Sequence, residues 1–268
     1  MKDNLKRTLV IGGLGKTGRR VAARLRTRGA PVRIGSRSSS PGFDWNDENT
    51  WAAALDGVQA AYVTYHPDLA LPGASEQVRR FTVEAVRSGV QQLVLVSGRG
   101  EPHVLPAEQA VVDSGVRYTI LRCAFFAQNF SEGAFAPVGD EIVFPAAEVT
   151  EPFVDAEDIA DVAVEALGSE RHDGRIYELT GPRLLSFADA ASEISRAAGR
   201  HIRYAQVSYE AYSEVLAPYL TAEQVAFFIG LFPELLDGHN SHLSPDVERV
   251  LGRKPRDFSS YAESAWAA

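Results

Sequence analysis

The chain has 268 residues, of which 45% are hydrophobic and 23% charged, and its formal net charge is −8. This length and composition are typical of a soluble globular protein, either one enzyme-sized unit or a larger domain with a smaller lobe. The acidic balance argues against a nucleic-acid partner. The single cysteine, Cys123, excludes an internal disulfide, and no Cys/His cluster has the spacing of a metal site.

The amino-terminal residues are polar and run directly into the first apolar segment, so we expect no signal peptide. No apolar run reaches the length of a membrane span, and we expect no membrane partner. Together with the cysteine usage, this predicts a cytoplasmic protein.

A glycine-rich turn follows the first apolar run, within Thr8–Gly18. Gly12 suits a tight strand-to-helix turn, Gly15 leaves room for a diphosphate, and Gly18 allows the next helix to pack close to the sheet. The N-terminus of that helix, over Arg19–Arg28, would face the phosphates. The pattern predicts a dinucleotide-binding turn, with an ordinary glycine-rich turn as the alternative.

A triphosphate-binding loop is a rival interpretation, because Gly15-Lys16-Thr17 resembles the end of that motif. The motif requires glycine five residues before the Gly-Lys pair, and Val10 occupies this position. This argues against the triphosphate interpretation.

The second strand, at Val32–Gly35, ends on Ser36 and Arg37. An acidic residue there would bind the ribose 2′-hydroxyl of NAD, whereas a hydroxyl and a cation suit a 2′-phosphate. NADP(H) is therefore the expected cofactor, and its phosphates would account for the basic cluster near Arg19–Arg37. The alternative is that Arg37 is a solvated loop charge.

Apolar runs then alternate with helical patterns, which predicts a doubly wound parallel sheet of the Rossmann type, an α/β fold. The predicted strands are Thr8–Ile11, Val32–Gly35, Ala60–Thr64, Leu93–Ser97 and Tyr118–Leu121, and the predicted helices between them are Trp51–Leu55, Ser75–Ser88 and Leu105–Ser114. Further on, Ser186 resembles an N-cap, and Ala222–Leu236 could form either a lid or a core helix.

Ligands of such sheets bind outside the carboxyl ends of the strands, where the strand order reverses. This rule selects three groups: Thr64, Tyr65 and His66; Ser97, Gly98 and Arg99; and Cys123–Phe126. Asp44 and Trp45 could flank an adenine, or Asp44 could cap a helix.

Several separated motifs resemble the NmrA-like branch of atypical short-chain dehydrogenases/reductases, and within it the group of ergot-alkaloid agroclavine dehydrogenases. They are the glycine turn, Val-Ser-Gly-Arg-Gly-Glu (96–101), Tyr-Thr-Ile-Leu-Arg-Cys-Ala-Phe-Phe-Ala-Gln-Asn-Phe (118–130), Pro-Phe-Val-Asp-Ala-Glu-Asp-Ile-Ala (152–160), Tyr-Glu-Leu-Thr-Gly-Pro (177–182), Leu-Asp-Gly-His-Asn (236–240) and Leu-Gly-Arg-Lys-Pro-Arg-Asp-Phe (251–258). The resemblance implies a Rossmann core over 1–122 and 152–182, and a smaller substrate-covering lobe over 123–151 and 183–268.

The resemblance also implies hydride transfer from a nicotinamide and a set of binding residues. The expected cofactor contacts are Gly12, Leu14, Gly15, Lys16, Thr17, Gly18, Ser36, Arg37, Thr64, Tyr65, Ser97, Gly98, Arg99 and Cys123. The expected substrate contacts are Phe125, Phe126, Asn129 and Phe130, although these aromatic residues could equally pack in a core. Cys123 could be a small packed residue beside the cofactor.

The chain departs from the usual short-chain dehydrogenase pattern, because residues 101–108 hold neither the tyrosine nor the lysine of the Tyr-x-x-x-Lys pair. That tyrosine normally protonates the forming alkoxide. Ketone reduction by the usual mechanism is therefore not expected. Ser97 is the candidate orienting hydroxyl, and Tyr65, His66 and His103 are the candidate replacement donors.

These observations predict an NADPH-dependent reductase acting on a bulky, hydrophobic aromatic or polycyclic molecule, such as a quinone, an iminium ion or an activated double bond. A non-catalytic NADP-sensing regulator is the main alternative, and an isomerase or cyclase with a repurposed cofactor site is another. We expect a monomer or a homodimer.

Overall fold

The computed structural model describes residues 6–133 and 135–266. The chain divides into two compact units. Unit 1 comprises the described residues up to Cys123, then Ala156–Leu179 and Arg249–Gly252; unit 2 comprises the described residues of Ala124–Asp155, Thr180–Glu248 and 253–266. The boundaries lie one to four residues from those expected at 122, 152 and 182, and the return of Arg249–Gly252 to unit 1 was not expected.

The helices and strands follow the chain in this order. The strands are β1 (Thr8–Ile11), β2 (Val32–Gly35), β3 (Ala60–Val63), β4 (Gln92–Gly98), β5 (Arg117–Cys123), β6 (Glu141–Phe144), β7 (Thr150–Glu151), β8 (Arg175–Leu179), β9 (Leu185–Ser186) and β10 (Arg203–Gln206). The α-helices are α1 (Lys16–Thr27), α2 (Trp51–Leu55), α3 (Ala74–Arg87), α4 (Leu105–Val112), α5 (Asn129–Glu132), α6 (Ala156–Gly168), α7 (Phe187–Ala198), α8 (Tyr209–Leu216), α9 (Ala222–Leu235), α10 (Asp246–Leu251) and α11 (Phe258–Trp266).

Unit 1 is built on a six-stranded sheet of order β2-β1-β3-β4-β5-β8, with every neighbouring pair parallel. Helix α1 packs against α6, and α3 packs against α2 and α4. The buried middle segments of β1, β3, β4 and β5 are mainly apolar because helices cover the sheet. This confirms the predicted Rossmann-type fold class. The strand order reverses between β1 and β3, which makes their carboxyl ends the expected ligand crevice.

Ion pairs join α1 to α6 along one side of unit 1. Arg20 Nε lies 2.6 Å from Glu157 Oε1, and the adjacent Arg24 contacts both Glu157 and Asp161 at 2.5 Å. These arginines therefore belong to helix packing. The prediction that cofactor phosphates account for the whole basic cluster is therefore wrong for Arg20 and Arg24. It failed because their carboxylate partners in α6 lie more than 130 residues further along the chain, where no local sequence pattern reveals them.

Unit 2 is organised around aromatic side chains. Phe144 stacks on Phe187 with ring centroids 4.8 Å apart, and Phe130 meets Phe258 edge-on at 5.3 Å. Ser186 begins α7 through a capping box with Asp189, which confirms the predicted N-cap. Among the described residues, no helix combines the length and apolarity that crossing a membrane requires.

Candidate active site

The glycine turn after β1 leaves no space for side chains at Gly12, Gly13 and Gly18. Gly12 has a φ of +66°, and a Cβ there would overlap the Thr64 hydroxyl. A Cβ at Gly18 would overlap the Gly12 carbonyl oxygen and lie 2.9 Å from the Cα of Gly13. The Gly15 amide donates to the same carbonyl at 2.8 Å. The turn thus requires glycine at 12 for its backbone conformation and at 18 for close packing.

Helix α1 begins immediately after this turn with Lys16. Its N-cap, Gly15, provides no side-chain hydrogen bond, and its first turn contains no acidic residue. The helix start therefore carries positive partial charge and has no acidic residue in its own first turn, which suits a diphosphate. Thr17 is buried, whereas Leu14 is 62% exposed at the tip of the turn. These residues fit the predicted dinucleotide site.

The end of β2 forms a compact serine turn. The Ser39 hydroxyl donates to the Ser36 carbonyl oxygen at 2.8 Å, and the Ser36 and Ser38 hydroxyls lie 3.3 Å apart. Arg37 is exposed, and no ion pair of its side chain occurs within the described ranges. This cation and the neighbouring hydroxyls are placed on the surface of unit 1, where a phosphate group could reach them.

Thr64 and Tyr65 follow β3 at the switch point of the sheet. Thr64 Oγ1 donates to the Ile11 carbonyl at 3.0 Å, which holds it beside the glycine turn. The Tyr65 hydroxyl donates to Gln77 Oε1, and partial burial raises the pKa of Tyr65. The structure brings Thr64 together with Gly12, whereas the Tyr65 hydroxyl is engaged by α3.

Trp45 is packed in the interior and Asp44 does not cap a helix, while contact of Asp44 with an adenine stays a prediction. Trp45 is 7% exposed and packs among aromatic side chains, with its indole N–H donating to the Thr64 carbonyl at 3.1 Å. The Asp44 carboxylate accepts from the Asn46 amide at 3.0 Å, while Asp47 caps the following short 3-10 turn. The burial of the Trp45 ring favours a core role over stacking on an adenine.

Ser97 lies in β4 and is almost fully buried. Its hydroxyl donates to Glu108 Oε1 at 2.6 Å, and Arg122 pairs with the same carboxylate at 2.6 Å. The predicted orienting hydroxyl is thus held by a carboxylate of α4. Sequence reasoning missed Glu108, because its approach to Ser97 depends on how α4 packs beneath the strand end.

Gly98, Arg99 and Cys123 meet at the ends of β4 and β5. Gly98 and Cys123 are paired in register, and the Arg99 amide donates to the Cys123 carbonyl at 3.1 Å. The buried Arg99 guanidinium bonds to Glu178 at 3.0 Å. Burial raises the pKa of the Cys123 thiol, so it remains protonated and is a poor nucleophile. Its side chain is packed in the interior, and direct cofactor contact stays a prediction.

Two carboxylates that sequence reasoning did not select lie at the same sheet edge. Glu101 follows β4, and its carboxyl group lies so close to Gly98 that a Cβ there would overlap it. Burial and the neighbouring carboxylate of Asp68 raise the pKa of Glu101 to about 8. Burial also raises the pKa of Asp68, which accepts from the Ala70 amide at 2.8 Å. Their positions shortly after two adjacent predicted strands could have identified these carboxylates from the sequence.

The candidate proton donors His66 and His103 are both exposed in unit 1. His66 follows β3, and His103 lies in the short 3-10 turn Pro102–Val104. Their roles stay predictions. The described residues contain no group of three or more His, Cys, Asp or Glu side chains suited to a metal ion.

The four candidate substrate contacts all belong to unit 2. Phe130 is fully buried among aromatic rings, which favours the packing alternative for this residue. Phe125, Phe126 and Asn129 are partly exposed, and Phe125 packs edge-on against Phe135 at 5.6 Å. These three remain candidates for substrate contact.

Comparison with known proteins identifies relatives along nearly the whole chain. No family model matches the sequence. Agroclavine dehydrogenase from Claviceps fusiformis is 30% identical over 275 residues, covering 94% of this chain and 95% of that protein. An NAD(P)H azoreductase from Xenophilus azovorans is 29% identical and covers 97% and 98% of the two chains.

Solved structures share the fold. An NADPH-dependent quinone oxidoreductase from Escherichia coli in complex with NADPH superposes with a TM-score of 0.79 at 18% identity, covering 96% of this chain and 99% of that one. NmrA, a negative transcriptional regulator in complex with NADP, gives 0.74 at 16% identity, covering 98% and 96%. The sequence relatives confirm the predicted class, and the chain belongs to the NmrA-like family of atypical short-chain dehydrogenases/reductases, as an NAD(P)H-dependent oxidoreductase.

Proposed function

We propose that this protein is an NADPH-dependent reductase for a bulky aromatic or polycyclic acceptor, such as a quinone, an iminium ion, an azo group or another activated double bond. The observation that carries the proposal is the close-packed glycine turn at the β1/β3 switch point. Gly12 and Gly18 exclude side chains there, and α1 begins beside them with neither a side-chain cap nor an acidic residue. Such a turn suits a dinucleotide diphosphate.

The choice of NADPH over NADH rests on the end of β2. Ser36 and the exposed Arg37 offer a hydroxyl and a cation for a 2′-phosphate, and no acidic side chain occupies these two positions to bind a 2′-hydroxyl. When bound, the cofactor supplies two electrons as a hydride. The residues proposed to hold it are the three glycines with Lys16 and Thr17, then Ser36 and Arg37, and Thr64 beside the turn.

The acceptor class follows from what the helix after β4 lacks. Helix α4 reads Leu-Pro-Ala-Glu-Gln-Ala-Val-Val, so it contains no tyrosine and no lysine. Without that pair, a simple ketone is a poor substrate, because its reduction leaves a strongly basic alkoxide. Conjugated and cationic acceptors take up hydride more readily. The names of the azoreductase relative and of the quinone oxidoreductase with the same fold support such acceptors.

Steady-state oxidation of NADPH tests the proposal against a panel of a quinone, an azo dye, a cationic iminium and an isolated ketone. We expect turnover with one or more of the conjugated or cationic acceptors, a preference for NADPH over NADH, and no turnover of the ketone. A Gly18→Ala variant supplies the control, because it disturbs the turn that should bind the cofactor. Rapid ketone reduction with no activity on the other acceptors would contradict the acceptor class.

A non-catalytic NADP-sensing protein is the second candidate. The missing tyrosine and lysine, together with the fold shared with NmrA, favour it. The same panel separates the two functions, because tight NADPH binding without oxidation of any acceptor supports the sensor.

A further inference from the structure

Asp68 and Glu101 occupy equivalent places on neighbouring strands of the sheet in unit 1. Asp68 comes five residues after the end of β3, and Glu101 comes three residues after the end of β4. Strands β3 and β4 run parallel and are paired in register. Both carboxylates therefore lie at the carboxyl edge of the sheet, where doubly wound folds bind their ligands.

Glu101 is partly exposed, and its carboxyl group lies at the end of β4. It lies directly against Gly98, the last residue of β4, where only a glycine leaves room for it. Among the described residues, no hydrogen-bond donor is bonded to this carboxyl group. A polar group that is withdrawn from water and left without a donor prefers its neutral form.

The charged surroundings reinforce that preference. The neighbouring carboxylate of Asp68 acts on Glu101 and, with burial, raises its pKa to about 8. The nearest cation along the chain, Arg99, is bonded to Glu178, and the nearest histidine, His103, is exposed. Burial and the negative charge of Asp68 both oppose ionisation of Glu101, so the two carboxyl groups are not both ionised cheaply. The pair therefore carries a proton at neutral pH.

We propose that protonated Glu101 is the proton donor of the reduction, in place of the tyrosine that this chain lacks, with Asp68 positioned to keep it protonated. This inference rests on the function proposed above. For an azo acceptor, hydride forms a bond to one nitrogen and the electron pair of the N=N double bond moves to the other nitrogen. The O–H bond of Glu101 breaks as its proton joins that second nitrogen, and water then reprotonates the carboxylate.

Two acceptors with different proton requirements test the proposal in a Glu101→Gln variant. An azo dye requires a proton at the nitrogen that does not receive hydride, whereas a cationic triarylmethane dye becomes a neutral product on accepting hydride alone. We expect kcat/KM for the azo dye to fall about 10²-fold or more, the usual contribution of a general acid. The value for the cationic dye and the Kd for NADPH should change by no more than about twofold.

Equal losses with both dyes would overturn the assignment, because they would indicate a structural role for Glu101. Asp113→Asn serves as the matched control, since this exposed carboxylate lies at the other end of α4. Its rates with both dyes should equal those of the unchanged protein. Asp68→Asn should retain azo reduction at acidic pH. As the pH rises, this variant should lose the activity at a lower pH than the unchanged protein does, because the negative charge of Asp68 no longer favours protonated Glu101.

An infrared difference titration provides a readout that does not depend on turnover. The C=O band of the protonated carboxyl, assigned by its absence in Glu101→Gln, should disappear with a midpoint near 8. A midpoint near the ordinary value of 4.5 would overturn the inference. If the unchanged protein binds NADPH but oxidises it with no acceptor of the panel described above, the proposed function fails, while this titration still decides whether Glu101 holds the proton.

Discussion

Ser97 Oγ donates a 2.6 Å hydrogen bond to Oε1 of Glu108, a carboxylate only 3% exposed. Arg122 completes the arrangement with contacts of 3.0 Å and 2.6 Å to the two oxygens of the same group. A hydroxyl that donates to a charged acceptor has no proton left for a substrate, although its lone pairs still accept. Ser97 is therefore suited to orienting a donor group near the end of β4, with its own orientation set by α4.

We expect the Ser97–Glu108–Arg122 group to behave as one unit in unfolding experiments. Glu108→Ala should lower the free energy of unfolding by about 2–3 kcal/mol, because it removes the partner of a half-buried guanidinium and of a buried hydroxyl. Ser97→Ala should cost about 1 kcal/mol. Urea denaturation of both variants and of the double variant provides the measurement. If the unfolding free energies lost in the two single variants sum to the loss in the double variant within about 0.3 kcal/mol, Ser97 and Glu108 are not coupled.

Arg37→Ala tests the cofactor preference. Removing a charge-assisted contact to a phosphate should cost about 1.5–3 kcal/mol, so the Kd for NADPH should rise about 10- to 100-fold while that for NADH changes little. Fluorescence titration with both cofactors measures the effect. Arg87→Ala is the matched control, since Arg87 is an exposed arginine at the end of α3. Equal weakening of NADPH and NADH would show that Arg37 does not contact the 2′-phosphate.

Gly18→Ala tests the packing of the glycine turn. The new methyl group would overlap the Gly12 carbonyl, so either the turn or α1 must move, at a cost of about 1–3 kcal/mol. We expect the Kd for NADPH to increase by more than about tenfold, because the turn itself is displaced. Gly168→Ala is the control, since a Cβ at this residue of α6 meets only a side-chain atom at 3.8 Å. Unchanged NADPH binding in Gly18→Ala would contradict the role of the turn.

Much of the sheet could be predicted because its central strands are buried on both faces. Strand β1 is such an apolar run, and its bounds match the predicted ones; those of β2 also match, although this edge strand is only partly buried and contains Arg33. Strand β8 was missed because Arg175 and Glu178 interrupt the apolar pattern of its five residues. The short strands of unit 2 were missed because they bury too few residues to leave a recognisable pattern.

The sequence predicted which residues follow the strands at the candidate site, but not which side chains pair with each other there. The strand-end rule selects Ser97 and Gly98 from the sequence, because parallel strands bring their carboxyl ends to one edge. It does not give side-chain partners. Asp68 influences Glu101 only through the arrangement of two loops, and Glu108 reaches Ser97 only through the packing of α4 on β4. Partnerships of this kind depend on tertiary contacts that no local pattern encodes.

His172 links the stability of unit 1 to pH. It is 3% exposed; its Nε2 accepts a 2.9 Å hydrogen bond from Arg171 Nε, and its Nδ1 lies 2.9 Å from the Tyr177 hydroxyl. Burial, reinforced by the charge of Arg171, lowers the pKa of His172 below its ordinary value of 6.5. The imidazole is thus neutral in the folded protein, with the proton on Nδ1, at a pH where the unfolded chain is already protonated.

The sign of the pH effect follows from this difference. Above pH 6.5 both states hold a neutral imidazole, whereas below it the unfolded state binds a proton that the folded state resists. The free energy of unfolding should therefore decline as the pH falls from 6.5 towards the lowered pKa. Urea midpoints between pH 7.5 and 5.5 should show this slope in the unchanged protein and in His201→Gln, an exposed control, and a smaller slope in His172→Gln. Identical slopes in all three proteins would show that His172 does not contribute to acid destabilisation.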